Sequence, residues 1–416
     1  MAQRGPRLRP ELGFVDATAI ALGAIIGAGI FVVLGEAAGV AGAGTPLAVL
    51  FSAGVAAFSG LSAAQLGVNY PRVGGAYEFG YELLVPIVGF TAGLSFLLGS
   101  TVGSAALTLT FASYLQALAP GIPLRVIAVA LALLALTVNV AGVQQSRHTN
   151  NLLVAFKVGV LLIFVLVGLA ARERWQPGAL FVGGIGNLPR ASALLFFAYT
   201  GYSRPVTIVE EIRDPNRTLP RSIIAALAIS TGLYLAVALV AQGLVGADTL
   251  AASPAPLRAA LAPTGQVWAE TLISIGALVA TADVLLTGIW GLSRVILAMS
   301  RRGDLPAALG VLTGQGVPRN AILASGIVII VLSAIGNLGQ AVAATSLALL
   351  LYYAIMNSAA LRLAPRQRLY PVLIPVAGLL STLALAFTLP TVTLLVVGAT
   401  LLAGVIYFLL RHRRYL

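Results

Sequence analysis

A single lysine interrupts one of the most apolar stretches of this chain. The run NLLVAFKVGVLLIF, from Asn151 to Phe164, contains Lys157, which is the one lysine among 25 lysines and arginines. A charged group within a membrane span is costly, so it marks a functional site whose partner should be identifiable. Burial favours the neutral amine, which would let Lys157 bind and release a proton. A nearby carboxylate favours the ammonium, which would make Lys157 a fixed cation.

Two further stretches place glycines within an apolar, helix-like context. GAIIGAGIF runs from Gly23 to Phe31, and FFAYTGYSRP runs from Phe196 to Pro205. Glycine and proline weaken a helix, and a broken helix leaves unpaired amides at one new end and unpaired carbonyls at the other. Close packing of small residues between helices is the alternative explanation for either stretch taken alone.

The composition places these stretches in a membrane. Charged residues make up 9% of the chain and hydrophobic residues 59%, as is typical of integral membrane proteins, in which a span needs about 20 mostly apolar residues. Such runs lie near 14–36, 47–68, 83–118, 124–141, 150–171, 191–211, 221–243, 267–299, 320–335, 341–361, 372–389 and 391–410. We therefore predict an all-α integral membrane protein with 12 transmembrane helices.

The arginines predict how these helices are oriented. With the N-terminus in the cytoplasm, 18 arginines fall in cytoplasmic segments and five in outer ones, in agreement with the positive-inside rule. We therefore expect a multi-pass protein of the cytoplasmic membrane, with a cytoplasmic tail at 1–13 and both termini cytoplasmic. Most of the net charge of +12 then follows from topology, and no nucleic-acid partner is expected.

The two glycine-containing interruptions fall in spans one and six, which cross the membrane in opposite directions. Such a pair is typical of an inverted repeat whose discontinuous helices meet at the membrane midplane. The outer half of span one begins near Ala28 and Gly29 with unpaired amides, which suit a carboxylate. The outer half of span six ends near Phe197 to Thr200 with unpaired carbonyls, which suit an ammonium. These groups predict an amino-acid ligand, although a polyamine could use the carbonyls alone.

Residues needed for other classes of function are missing. The chain has no cysteine, its two histidines, His148 and His412, lie near segment ends, and no HExxH, Walker or GxSxG motif occurs. An enzyme needs a convergent set of acids, bases, nucleophiles or metal ligands, and a channel needs a continuous polar path. The spans carry isolated charges instead. We therefore expect no catalytic residue, metal site or cofactor.

An ordered set of motifs resembles the amino acid permeases of the amino acid–polyamine–organocation superfamily. The set comprises GAIIGAGIF, YPRVGGAYEF (Tyr70 to Phe79), FFAYTGY followed by VEEIRDPNRTLPRSI (Phe196 to Ile223), SRVILAMSRRGDLP (Ser293 to Pro306) and GVPRNAI. The resemblance implies the LeuT-type fold, a five-plus-five inverted repeat with discontinuous helices 1 and 6 and alternating access around a central site. The first repeat would be 14–171 and the second 190–362. Residues 370–416 would form spans 11 and 12 and a short basic cytoplasmic tail.

The resemblance also implies which residues hold the substrate. The backbone of Gly27 to Gly29 would hold the carboxylate, Ile26 and backbone carbonyls of span six would hold the amine, and an aromatic residue of span six would close over the substrate. By position these residues are Ile26, Gly27, Ala28, Gly29, Phe197, Ala198, Thr200 and Gly201, with Phe197 as the aromatic gate. In sodium-coupled relatives, sodium occupies the position of Lys157. Its candidate partners here are Gly23, Thr281 and Asp283.

The chain departs from the common pattern of the family at one position. Many relatives have an acidic residue after the aromatic of span six, where this chain has Ser203 and Arg204, and this difference disfavours a cationic substrate. One expectation is that Arg204 pairs with a carboxylate such as Glu36, Asp283 or Glu210 and stabilises a gate. The other is that it contacts the substrate side chain and disfavours arginine and lysine.

The sequence thus predicts a sodium-independent secondary transporter that moves amino acids through a lipid bilayer. Proton-coupled symport through Lys157 is the first expectation, because arginine at this position would exchange protons poorly. The alternative is an exchanger or uniporter in which Lys157 is a fixed substitute for sodium, and an ion pair with Asp283 would favour it. A polyamine or cationic amino acid antiporter is a lower alternative. The oligomeric state stays open.

Overall fold

A computed structural model describes residues 11–27, 29–71, 74–142, 147–176, 187–314 and 316–412, and this part of the chain forms fifteen α-helices. The first eight are α1 (Phe14–Ile25), α2 (Gly29–Ala41), α3 (Thr45–Asn69), α4 (Ala76–Leu83), α5 (Pro86–Leu118), α6 (Leu124–Val140), α7 (Arg147–Ala170) and α8 (Leu188–Tyr199). The others are α9 (Pro215–Ala252), α10 (Pro256–Leu261), α11 (Val267–Arg302), α12 (Arg319–Ile335), α13 (Leu338–Leu361), α14 (Leu373–Ala386) and α15 (Thr391–Arg411). Within the described ranges the only β-pairing is an isolated bridge between Leu12 and Ile212.

Hydropathy and helix length identify the membrane segments. Among the described residues, seven helical stretches are long and apolar enough to cross a membrane, and the shorter helices α1, α6, α12 and α14 are also apolar. Each predicted span overlaps one helix, except spans one and six, each of which is divided into two helical pieces. This is the architecture of a multi-pass helical membrane protein.

Span one is interrupted at the predicted position. Helix α1 ends at Ile25, and Ile26 follows with φ −78° and ψ 71°. The amide of Gly27 donates to the carbonyl oxygen of Ile25 over 2.8 Å, which makes this an inverse γ-turn. Ala28 lies outside the described residues, and α2 begins at Gly29. The helix of span one therefore stops at Ile25 and resumes at Gly29.

Span six is also interrupted, but its second part is not an α-helix. After α8 ends at Tyr199, Thr200 is extended, and residues Arg204–Glu211 form a 3₁₀ helix rather than the second half-helix that an interrupted span implies. Pro205 has no amide to donate, and the four residues after it are all β-branched, which weakens α-helix formation. The tighter 3₁₀ helix is the local result.

The broken helices lie in the largest buried core of the molecule. Helices α2 and α3 pack on α8 and α9, α5 packs on α11 and α13, and α6 packs on α12. The short helix α4 packs on α5 and α13. The hydroxyls of Tyr77 and Tyr81 on α4 donate to Asp304 in the α11–α12 loop, each over 2.7 Å. We call the end of the bundle that carries α4 and this loop the α4 side.

Candidate functional site

The two interruptions are in direct backbone contact. A Cβ atom added to Gly29 would collide with the Cα and Cβ of Ala198. Gly201 has a φ of 137°, and a Cβ there would lie 2.6 Å from the carbonyl oxygen of Ala24. Both positions require glycine, since any side chain would push span one and span six apart.

A tyrosine hydroxyl joins the ends of α1 and α8. The hydroxyl of Tyr234, on α9, lies 2.8 Å from the carbonyl oxygen of Ile25 and 3.3 Å from that of Ala198. These are C-terminal carbonyls of the two half-helices, which have no amide partner within their own helices. Tyr234 is fully buried. Sequence analysis missed it because a tyrosine within an apolar helix has no local feature that identifies its partners.

The predicted backbone groups are arranged as opposite helix ends. The first amides of α2, from Gly29 onwards, have no acceptor within α2 and carry its positive dipole end. At the end of α8, the Phe197 carbonyl accepts the amide and hydroxyl of Thr200, over 3.3 and 2.7 Å. These two donors occupy both lone pairs of the Phe197 oxygen, whereas the Ala198 carbonyl, which the Tyr234 hydroxyl contacts at 3.3 Å, can accept a second donor. The arrangement therefore offers donors from span one and acceptors from span six.

The residues assigned to the gate contact other helices. Phe197 is half-buried, and its ring lies 3.6 Å from a Cβ built on Gly103 of α5. The hydroxyls of Ser203 and Tyr353 are 3.1 Å apart. The span-six residues predicted to form the gate thus contact α5 and α13.

Lys157 forms a buried ion pair that spans three helices. Its Nζ atom donates to Oδ2 of Asp283, on α11, over 2.7 Å and to the carbonyl of Gly23, on α1, over 2.9 Å. The exposed side-chain fractions are 0% for Lys157 and 6% for Asp283. Lys157 is thus held by a carboxylate and a main-chain carbonyl from two different helices.

Thr281 is close in sequence to Asp283 but does not bond to the lysine. Its hydroxyl donates to carbonyls of its own helix, those of Ala277 over 2.7 Å and Leu278 over 3.0 Å. In a helix, residues two apart point in different directions. Of the three candidate partners, the structure therefore brings Gly23 and Asp283 to Lys157.

Arg204 lies between the second interruption and α11. Its Nη2 atom donates to the carbonyl oxygen of Thr287 over 3.1 Å, and its charge also interacts with that of Asp283. Glu36 lies elsewhere, with its carboxylate against Gly339 in a cavity at the opposite end of the bundle from α4. No ion pair within the described ranges includes Glu36, and the Glu210 side chain is outside them. Of the expected carboxylates whose side chains the structure describes, Asp283 is the one near enough to interact electrostatically with Arg204.

Comparison with known proteins identifies the family. The amino acid permease family model matches residues 16–411. An uncharacterized transporter of Mycobacterium tuberculosis is 39% identical over 404 residues, which cover 96% of this chain and 90% of that protein. The branched-chain amino acid permease BcaP of Bacillus subtilis is 32% identical, over 73% of this chain and 69% of its own. The chloroplastic cationic amino acid transporter 9 of Arabidopsis thaliana is 30% identical, over 73% of this chain and 57% of its own.

The family model and the mycobacterial relative match nearly the whole chain, including both interrupted helices and the buried ion pair. The motifs that resembled the permeases therefore belong to one continuous family match rather than to isolated similarities. The chain belongs to the amino acid permease family of the amino acid–polyamine–organocation superfamily, and it is a multi-pass membrane transporter rather than an enzyme.

Proposed function

We propose that this protein is a sodium-independent transporter of neutral amino acids in the cytoplasmic membrane, with both termini cytoplasmic. The observation that carries the proposal is the pairing of two interrupted helices beside a buried lysine. The amide end of α2 and the carbonyl end of α8 suit the carboxylate and the ammonium of one zwitterion. Substrate would bind there through Ile26, Gly27, Ala28, Gly29, Phe197, Ala198, Thr200 and Gly201.

Many transporters that work by alternating access are built from two inverted halves, and the helix neighbours support such halves here. In a five-plus-five repeat, each span of the first half corresponds to the span five positions later. Span one then corresponds to span six, α3 to α9, α5 to α11, α6 to α12 and α7 to α13. The observed contacts follow this exchange: α3 packs on α8 as α9 packs on α1 and α2, and α13 packs on α5 as α7 packs on α11. Likewise α13 contacts α8 as α7 contacts α1. This pattern favours a five-plus-five inverted repeat within 12 spans.

A neutral substrate fits the charges around the second interruption. The guanidinium of Arg204 is held between this interruption and α11, where it would repel a cationic side chain. Among the relatives, BcaP is named for branched-chain amino acids. The plant relative is named for cationic amino acids, which makes a cationic amino acid or polyamine antiporter the lower alternative. Arg204 and Ser203 are the residues of this chain that favour neutral amino acids over that alternative.

The ion pair favours Lys157 as a fixed substitute for sodium. A carboxylate 2.7 Å from Nζ stabilises the ammonium, so the lysine keeps its charge while the pair is intact. A lysine that stays charged throughout the transport cycle neither binds nor releases a proton, so it cannot couple proton movement to substrate transport. Facilitated exchange or uniport is then the transport mode that the geometry supports.

Proton-coupled symport is the second candidate, and one observation favours it. The buried pair contains the only lysine of the chain, and the rest of its 25 lysines and arginines are arginine. Lysine can release its proton when buried, whereas arginine effectively cannot. If substrate binding separates Nζ from Asp283, the amine would lose its counter-charge and could release a proton.

Transport by purified protein in liposomes tests the function and the coupling together. We expect uptake of at least one neutral amino acid, such as L-leucine, to be unaffected by replacing sodium with choline and to be abolished by Lys157→Ala. The assay is run with and without an imposed pH gradient, and with and without internal substrate. Stimulation by internal substrate alone supports exchange, and stimulation by the gradient supports symport. Sodium-dependent uptake that survives Lys157→Ala would contradict the proposed role of the lysine.

A further inference from the structure

A basic cavity opens on the α4 side, away from the two interruptions. Its volume is 520 Å³, and it lies between α4 and the last three turns of α11. Three arginines, one glutamate and two apolar residues line it: Glu78, Arg294, Leu297, Ala298, Arg301 and Arg302. A cavity of this size can admit an amino acid together with its first water molecules.

Only one of the three arginines has its charge neutralised by a neighbour. Arg302 donates to Glu78 over 2.6 Å, and its guanidinium lies 4.2 Å from the ring centroid of Tyr81. Arg294 and Arg301 are exposed, and neither forms an ion pair with a described carboxylate. The Arg294 guanidinium is positioned 5.1 Å from the ring centroid of Trp290. The cavity therefore presents two uncompensated positive charges, one of which is held in place by an aromatic ring.

The α11 residues of the cavity lie on a face of the helix that also reaches the central site. At 3.6 residues per turn, positions 283, 287, 291, 294, 298 and 301 fall within about 80° of one another around the helix. Asp283 of this face pairs with Lys157, and Arg204 donates to the Thr287 carbonyl. A Cβ built on Gly291 would lie 3.6 Å from Nη1 of Arg204. A ligand leaving the interruption on the α4 side would therefore meet Arg204 first and the cavity next.

We infer that this cavity is an anion subsite, which binds the carboxylate of the amino acid as it enters or leaves the central site on the α4 side. The inference rests on the proposed function. A guanidinium matches a carboxylate with two parallel hydrogen bonds. Arg294 and Arg301 attract the carboxylate of the amino acid and so raise its local concentration at the cavity. The ion pair between Arg302 and Glu78 fixes the position of α4 relative to α11 on one side of the cavity.

Charge removal in the cavity gives the test, with L-leucine as the probe. Arg294→Gln/Arg301→Gln is compared with wild type and with Arg319→Gln, an exposed arginine at the start of α12 on the same side but outside the cavity. Leucine exchange is measured in proteoliposomes over a range of KCl concentrations, because every exchange cycle passes the α4 side whichever way the protein is inserted. Thermal stabilisation by leucine in detergent is measured in parallel and reports the central site.

The expected result separates rate from binding. At low salt the double variant should exchange leucine about tenfold more slowly, which is the lower limit of electrostatic steering. The difference should vanish near 1 M KCl, where charges are screened within about 3 Å. Stabilisation by leucine should be unchanged, and Arg319→Gln should behave as wild type.

Three outcomes would overturn the inference. If the double variant exchanges leucine like wild type, or no more slowly than Arg319→Gln, the cavity has no role in transport. If the rate difference occurs only in liposomes that contain phosphatidylglycerol, and not in pure phosphatidylcholine, the arginines bind lipid headgroups instead. If wild type neither exchanges nor is stabilised by any amino acid, the proposed function fails together with this inference.

Discussion

Removing one charge of the buried ion pair between Lys157 and Asp283 should destabilise the protein more than removing both charges. Lys157→Met keeps an unbranched side chain of similar length but leaves the Asp283 carboxylate without its ammonium. Asp283→Asn keeps the shape of the carboxylate but leaves the ammonium with the Gly23 carbonyl and an amide oxygen. The double variant removes both charges. Because both side chains are buried, at 0% and 6% exposure, water can replace neither partner.

The expected magnitude follows from burial. A buried ion pair that loses one partner destabilises a protein by about 3–5 kcal/mol, because the remaining charge is uncompensated. Proteins unfold with an entropy of about 2 cal/mol/K per residue, or about 0.9 kcal/mol/K for a chain of this length. Lys157→Met should therefore lower the melting temperature by about 3–6 °C. Interaction of Asp283 with Arg204 would place the decrease at the lower end of this range.

Melting temperatures of the detergent-solubilised protein, measured by intrinsic fluorescence, complete the double-mutant cycle. The double variant should melt above Lys157→Met, since no buried charge is left alone. Arg217→Gln serves as the control, because it breaks an exposed pair with Asp214 at 4.0 Å, for which a loss below about 1 kcal/mol is expected. Single decreases that simply add in the double variant would show that Lys157 and Asp283 do not interact in the folded protein.

Three other substitutions test the contacts between the broken helices. Tyr234→Phe removes the hydroxyl shared by the Ile25 and Ala198 carbonyls, so it should cost about 1–3 kcal/mol of stability and weaken leucine binding. Tyr199→Phe, whose hydroxyl contacts the Val49 carbonyl at 3.4 Å and Thr231 rather than either helix end, should leave leucine binding unchanged. Gly29→Ala should abolish uptake in proteoliposomes by separating α2 from α8, whereas Gly54→Ala, with open space around its Cα, should leave it intact. Arg204→Gln should allow L-arginine to stabilise the protein in a thermal assay; no gain for arginine would assign Arg204 to the gate alone.

Features determined by local sequence were predictable. Hydropathy reports each segment separately, so the predicted spans coincide with helices, and glycine at the interruptions weakens the helix whatever surrounds it. Lys157 was recognisable because a charge in an apolar run is rare, and its partners Gly23 and Asp283 followed from the family position. Sequence reasoning did not foresee that the continuation of span six is a 3₁₀ helix, that Thr281 bonds to its own helix, or that Arg204 donates to a main-chain carbonyl.

The sequence by itself determined that the chain is a helical membrane protein, where two of its spans break, and that one lysine lies within an apolar helix. These properties depend on residues within a few turns of one another. Only the tertiary structure decided that the Tyr234 hydroxyl joins both breaks, that Asp283 rather than Thr281 reaches the lysine, and that a basic cavity forms between α4 and α11. Each of these depends on the distance between atoms of different helices, which packing sets and which no local pattern encodes.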